Sequence, residues 1–260
     1  MQEIQYPFHT LEDFLISHEL SVDGVLDDGG GALFPVKGKE IQASILFADI
    51  TEFSRRTAQL SSTETLAFVN HFFTWITAEA MSVGPGIVDK YIGDEIMIVF
   101  SEGFGSKDAF ADALRTAIRI GGHDPWDFSP HIGIASGIVT VGFVGTPVKY
   151  NCSVFGAPVA LAARCAGIPA KEAVSSTVFF PAKCWGDRCF ADLVPARPNE
   201  PSRWKMLPPR KEKLKNIGEI EVIEIGKVTR SYPHGFSAER IAKGGIEELQ
   251  KTGRYRQFTP

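Results

Sequence analysis

The sequence predicts an α+β fold: a mixed, largely antiparallel sheet with flanking helices. Three observations carry this. Apolar, strand-like runs at 43–50, 86–100 and 131–145 are interleaved with helix-period patterns at 61–84 and 106–120. The run GIVDKYIGDEIMIVF (86–100) divides at Gly93 and Asp94, the chemistry of a tight hairpin. A second hairpin is written into KLKNIGEIEVIEI (213–225). Hairpins make neighbouring strands antiparallel, and the helices between them cover the apolar faces.

In chain order, a short helix is predicted from Thr10, with Leu11, Phe14, Leu15 and Leu20 apolar, followed by a linker at the glycine run Gly29–Gly31. The strand ASILFADI (43–50) delivers Asp49 to a rim and passes into Thr51, Glu52, Phe53 and Ser54. Ser61 and Glu64 stand at capping-box spacing and open a helix through Leu66, Val69, Phe72, Phe73 and Ile76 that stops at Gly84 before Pro85. After the hairpin, a helix from about Ser106 to Ile120 presents Phe110, Leu114, Ala117 and Ile118 and ends on Gly121 and Gly122. HIGIASGIVTVGFVG (131–145), glycine-studded and alternating, reads as a buried strand pair. A strand at 149–155, a helix at 157–167 and a strand at 173–180 follow. The proline-rich stretch from Pro195 to Pro209 predicts a long irregular loop, and 237–251 a short amphipathic surface or dimer helix. The chain therefore divides into an N-terminal extension (1–40), a core domain (41–228) and a C-terminal tail (229–260).

Composition excludes several classes. With 260 residues, 44% of them hydrophobic, the chain is long enough to bury a core without disulfides. A net charge of −4 provides no field for nucleic-acid phosphates, so no nucleic-acid partner is expected. The cysteines Cys152, Cys165, Cys184 and Cys189 form no CxxC pair and read as reduced thiols. The start MQEIQYPFHTLEDF lacks a secretory pattern, and no run reaches a membrane span, so a cytoplasmic protein without a membrane partner is expected.

Chemistry points to Asp49, at the end of an apolar strand, and Asp94, at a hairpin turn. A carboxylate beside a core costs several kcal/mol, roughly, unless it is paired or binds a cation. Two of them suit Mg²⁺ or Mn²⁺, hard cations that combine one or two carboxylates with phosphate oxygens. Spacing alone leaves this open against a turn aspartate and a helix-capping one.

Four blocks resolve the ambiguity. FADITEF (47–53), KYIGDEIMIVF (90–100), HIGIASGIVTVGFVG (131–145) and VFGAPVALAARC (154–165) resemble, in order and spacing, the signature blocks of class III adenylate and guanylate cyclases. The resemblance spans about residues 43–225 and implies a ferredoxin-like, palm-related fold. It implies cyclisation of a nucleoside triphosphate to a 3′,5′-cyclic monophosphate, with two Mn²⁺ or Mg²⁺ ions per site. Asp49, Asp94 and the backbone carbonyl of Ile50 would hold the ions. The amides of Thr51, Glu52, Phe53 and Ser54 would meet phosphates, as unpaired N–H groups can; a simple cap is the other reading of that turn. Arg164 falls at the arginine that stabilises charge on the α-phosphate, a role suited to a planar, permanent cation.

Lys90 and Ser153 occupy the family's base-reading positions, and Lys215 resembles its triphosphate lysine, with Lys211 and Lys213 as competing registers. His131 stands where many relatives carry a triphosphate arginine, and a strand-edge histidine reads it equally well. Ala160 replaces the ribose-orienting asparagine, so ribose positioning must differ. Metal ligands and base readers come from different subunits in the family, which implies a head-to-tail homodimer with two composite sites. The segment KYNCSVFGAPVALAARC (149–165), Ala160 and the nearly standalone layout resemble the pyrimidine cyclases of bacterial antiphage (Pycsar) systems, implying UTP as substrate and cyclic UMP as product. Adenylate cyclase is the alternative. YIGDEI also resembles the GGDEF motif of diguanylate cyclases, but the downstream VALAARC helix does not. An inactive nucleotide-binding module would retain the fold without turnover.

Overall fold

The computed structural model describes residues 7–27, 29–31, 33–146, 149–171, 176–194, 204–227 and 237–252. Its strands are β1 (Val22–Asp27), β2 (Leu33–Asp49), β3 (Gly86–Ile92), β4 (Glu95–Ser101), β5 (His131–Thr146), β6 (Lys149–Phe155), β7 (Thr177–Pro181), β8 (Trp204–Met206), β9 (Arg210–Leu214) and β10 (Gly218–Lys227). Its α-helices are α1 (Leu11–Ile16), α2 (Phe53–Thr57), α3 (Ser62–Met81), α4 (Ala109–Gly122), α5 (Ala157–Ala166), α6 (Phe190–Leu193) and α7 (Ala238–Thr252). The sheet runs β3-β4-β2-β5-β7-β10-β8, with β1 on β2, β6 on β5 and β9 on β10. Among the described residues only β5 and β7 pair in parallel, and every other pairing is antiparallel, as predicted.

Alternation along β2 sets up two cores. Leu46, Ala48 and Ile50 face one layer with Phe68, Phe72 and Ile76 of α3, Leu114 and Ala117 of α4, and Ile241 and Ala242 of α7. Ala43, Ile45 and Phe47 face the other, where Leu11, Phe14 and Leu15 of α1 pack with Ala162 and Ala166 of α5. Segments near both ends of the chain thus contribute to the buried cores. No helix among the described residues is long and apolar enough to cross a membrane, and all four cysteines are free.

The local signals hold at α3, where Ser61 accepts from the Glu64 amide while the Glu64 side chain caps Ser61 in return. They hold at the 86–100 hairpin, where Ile92 pairs with Glu95 around the two-residue turn Gly93–Asp94. Helix α4 starts three residues later than the predicted Ser106, because Asp108 caps it by accepting from the Ala111 amide.

Three expectations are corrected. The predicted strand pair at 131–145 is one continuous strand, β5, whose glycines serve close approach and not turning. Gly133 is the clearest case: a Cβ there would stand 2.1 Å from the Ala162 carbonyl oxygen and 2.2 Å from the Ala166 amide nitrogen, so α5 rests directly on the strand backbone. The glycine run 29–31 lies between paired strands β1 and β2, within a hairpin and not a linker, and β2 begins ten residues before the predicted Ala43. Within the predicted irregular loop, Trp204–Met206 pairs with β10; residues 195–203, like 173–175 of the predicted strand, lie outside the described residues.

Candidate active site

The end of β2 is a convergence point for acids. Asp49 stands opposite Glu95 of β4 on one side and His131 of β5 on the other. Asp94 sits next to Glu95 on the turn made possible by Gly93, whose φ is 64°. Asp49 Oδ1 is buried with no hydrogen-bond partner among the described residues. Burial first, then direct side-chain and charge interaction with Asp94 and the charge of Glu95, push the Asp49 carboxyl up to about 8. Glu95 is raised too, by burial and by Asp94, against the opposing charge of Arg164.

An orphaned, buried carboxylate oxygen facing a second acid is what a divalent cation relieves, and the all-oxygen donor set suits Mg²⁺ or Mn²⁺. Among the described residues no three His, Cys, Asp or Glu side chains form a metal cluster on their own. Two carboxylates would thus need oxygens from backbone and substrate to complete a coordination shell, the usual situation for Mg²⁺. The Ile50 carbonyl, beside Asp49, accepts from the Phe53 amide at 3.3 Å and keeps its second lone pair.

The turn after β2 is tightly shaped. Glu52 adopts the left-handed conformation (φ 56°) at the N-cap of α2 and pairs with Arg55. The Thr51 hydroxyl donates to the Ser129 carbonyl, and the Arg56 amide returns to the Glu52 carbonyl at 2.9 Å. Thr51, Glu52, Phe53 and Ser54 are therefore adjacent to Asp49, although the amide of Phe53 already has an intramolecular partner.

A second constellation forms around Lys90 and Ser153, which the fold brings together across 63 positions. Lys90 Nζ donates to Ser153 Oγ at 2.5 Å, and Ser153 Oγ donates to Asp89 Oδ2 at 2.7 Å. Lys90 also pairs with Asp89 at 3.3 Å. Asp89 was not singled out from the sequence, because strict strand alternation puts it on the face opposite Lys90. The register of β3 shifts between Val88 and Lys90, and this β-bulge lets neighbouring side chains reach one serine. A carboxylate inside an otherwise apolar strand run was the available signal.

The remaining predicted residues are placed as follows. Arg164 is exposed in the last turn of α5, one helical turn beyond exposed Ala160, so both lie on one face. Its charge opposes the upward shift of Glu95. His131, half-buried, is lowered by burial below the ordinary histidine range, so near neutral pH it is uncharged. Lys215 is exposed in the turn between β9 and β10. Pairing runs from the row Asp49–His131–Thr177 along β7 to Pro181–Val222 and only then to the β9–β10 hairpin, so one chain does not gather Lys215 with the aspartates.

Comparison with known proteins agrees with this architecture. Residues 36–180 match the family model described as the adenylate and guanylate cyclase catalytic domain. An uncharacterized protein of Mycobacterium tuberculosis is 28% identical over 176 residues, covering 65% of this chain and 28% of that protein. An adenylate cyclase of Anabaena cylindrica is 28% identical over 137 residues, covering 48% of this chain and 27% of its own length. The chain thus spans less than a third of the length of these curated relatives. In fold it resembles the adenylyl cyclase CyaB from P. aeruginosa (TM-score 0.56, 17% identity, 74% of this chain and 97% of that one). It also resembles the guanylate cyclase domain of RhGC from Catenaria anguillulae, solved in complex with GTP (TM-score 0.57, 18% identity, 73% and 98%). With the family model covering more than half of the sequence, and including the Asp49, Asp94 and Arg164 blocks, the chain belongs to the adenylate and guanylate cyclase catalytic domain family.

Proposed function

We propose that this protein is a cytoplasmic two-metal nucleotidyl cyclase that converts UTP to 3′,5′-cyclic UMP and diphosphate, as a second messenger in antiphage defence. The observation that carries the catalytic part is the meeting of Asp49 and Asp94, one with an unpartnered buried oxygen. Bound there, divalent ions supply a lowered pKa for the ribose 3′-hydroxyl and charge neutralisation for the triphosphate.

The chain's own residues do the rest. Asp49 and Asp94, fixed by the β2–β4 register and the Gly93 turn, set where the 3′-oxygen and the α-phosphate meet. The backbone of Thr51–Ser54 lies beside them to orient phosphates. Arg164, permanently charged, stabilises negative charge on the α-phosphorus oxygens as the 3′-oxygen bond forms and the bond to diphosphate breaks. His131, uncharged near neutral pH, offers the triphosphate a hydrogen bond and not a charge. Lys90, with Ser153, addresses the base.

The site is completed by a second copy. Asp49, Ile50 and Asp94 of one subunit face Arg164, Lys90, Ser153 and Lys215 of the other, which accounts for the separation of Lys215 from the aspartates within one chain. A closed head-to-tail dimer makes two such sites.

Uridylate specificity rests on the resemblance of residues 149–165 to pyrimidine cyclases and on Lys90 as a donor to a uracil carbonyl. The adenylate cyclase of Anabaena cylindrica favours a second reading, ATP to cyclic AMP. Incubating the purified protein with Mn²⁺ and each of the four ribonucleoside triphosphates, with product identification by mass spectrometry, decides between them. Cyclic UMP is expected; turnover of ATP alone would replace the uridylate reading, and a dinucleotide or no product would overturn the cyclase reading.

A further inference from the structure

The buried carboxylate of Asp89 has no part in metal binding or phosphate chemistry as described above, yet it is built into the site. Its side chain is 1% exposed, against 38% for Lys90. Of its two oxygens, Oδ2 accepts from Ser153, while Oδ1 is buried without a hydrogen-bond partner among the described residues. Burial raises its carboxyl above the ordinary range, opposed by Ser153 and by the charge of Lys90. Leaving a charged acceptor unfilled in such a place is costly, so the fold retains it against a penalty.

The hydrogen-bond inventory around it is restrictive. The single proton of Ser153 is committed to Asp89, and its oxygen already accepts from Lys90. Ser153 therefore has no donor left for a ligand. Lys90 has further N–H groups, and Asp89 Oδ1 has free lone pairs. What the cluster can offer a ligand is thus a cationic donor beside an anionic acceptor. Lys90, on a flexible stem and 38% exposed, is the member of the cluster able to move when a ligand enters.

We propose that Asp89 is a specificity-determining residue, whose Oδ1 accepts the ring N–H of the substrate base while Lys90 donates to the adjacent carbonyl. The complementary ligand is a base edge carrying an N–H next to a C=O, which uracil presents at its imide edge, guanine shares at N1 and C6, and adenine lacks. Cytosine in the same pose presents a ring-nitrogen lone pair to the carboxylate and is repelled. Ser153 holds both partners in place. This inference rests on the uridylate reading above and names the group that enforces it.

Binding measured without turnover tests it. The 260-residue protein with Mn²⁺ is titrated calorimetrically with 3′-deoxy-UTP, which lacks the attacking hydroxyl, and with its N3-methyl derivative, in wild type and Asp89→Ala. Methylation is expected to weaken binding to wild type by about tenfold or more, the loss of one charge-assisted hydrogen bond, and to leave binding to Asp89→Ala unchanged. An equal penalty in both proteins, no penalty in wild type, or no binding of either analogue overturns the proposal. Should Asp89→Ala fail to fold, the near-isosteric Asp89→Asn serves. Its amide N–H, set toward the ring nitrogen, is expected to shift preference from 3′-deoxy-UTP toward 3′-deoxy-CTP; an unchanged preference overturns the proposal. A parallel assay of wild type with UTP separates the two claims. Absence of cyclic UMP with the methylation penalty intact sinks the uridylate cyclase reading and leaves Asp89 as a base reader. Cyclic UMP with equal penalties does the reverse.

Discussion

Asp49 and Asp94, forty-five positions apart in the sequence, interact through their carboxyl groups, and with burial as the leading cause Asp49 is pushed up to about 8. The contact is made by two pieces of backbone geometry. The β2–β4 register puts Asp49 opposite Glu95, and the Gly93 turn sets Asp94 immediately beside it.

Asp94→Ala should abolish product formation while leaving the fold intact. The side chain is at a turn and packs in neither core, so its loss removes a ligand and little else. Outer-shell partners of metal ligands cost roughly 10–100-fold when removed; a ligand itself should cost at least ~100-fold in kcat. Circular dichroism and melting temperature, measured alongside, should stay at wild-type values. Retained activity would refute the metal assignment.

Metal binding and stability should be linked through pH. A carboxyl raised in the folded state binds its proton more tightly there than when unfolded. The metal-free fold therefore loses stability from this group as pH rises from about 4 toward 8. A divalent ion must displace that proton, so apparent affinity should rise with pH up to about 8. Mn²⁺ should accordingly raise the melting temperature more at pH 8 than at pH 6, and Asp49→Asn should remove the difference. An equal shift at both pH values in wild type would contradict the raised carboxyl.

Gly133→Ala should damage both fold and activity. The added methyl would stand 2.1 Å from the Ala162 carbonyl oxygen and 2.2 Å from the Ala166 amide nitrogen, so α5 must lift off β5 and carry Arg164 with it. Overpacking of this kind costs about 1–3 kcal/mol or more. Denaturant melts and kcat should both fall; an unchanged kcat would mean that the position of α5 does not matter for turnover.

Glu224 is a structural acid and should behave as one. Its side chain is 1% exposed, pairs with Arg210 and accepts from the Lys171 amide at 3.2 Å. Glu224→Ala removes the buried partner of Arg210, which keeps Glu212, and leaves the Lys171 amide without its acceptor, so it should destabilise by about 1–3 kcal/mol. At a temperature where the variant remains folded, base selectivity should be unchanged, which separates it from changes at Asp89.

Composite sites predict complementation. Neither Asp94→Ala nor Arg164→Ala should be active alone. Co-refolded in equal amounts, half of the dimers are mixed and one of their two sites is intact, so roughly a quarter of wild-type activity should return. No recovery would place the aspartates and the arginine of each site on the same subunit.

The sequence by itself determined the elements whose signals are local. The Ser61–Glu64 capping box, the Gly93–Asp94 turn and the apolar strand ending on Asp49 depend on residues within a few positions of one another, and the structure reproduces each. Only the tertiary structure decided the rest. The glycines of β5 look like punctuation in one dimension, but Gly133 exists to admit a helix backbone from thirty positions away. Asp89 reaches Ser153, 64 positions away, through a bulge in β3. Close approach and register shifts arise from how distant segments pack, and no local pattern encodes them.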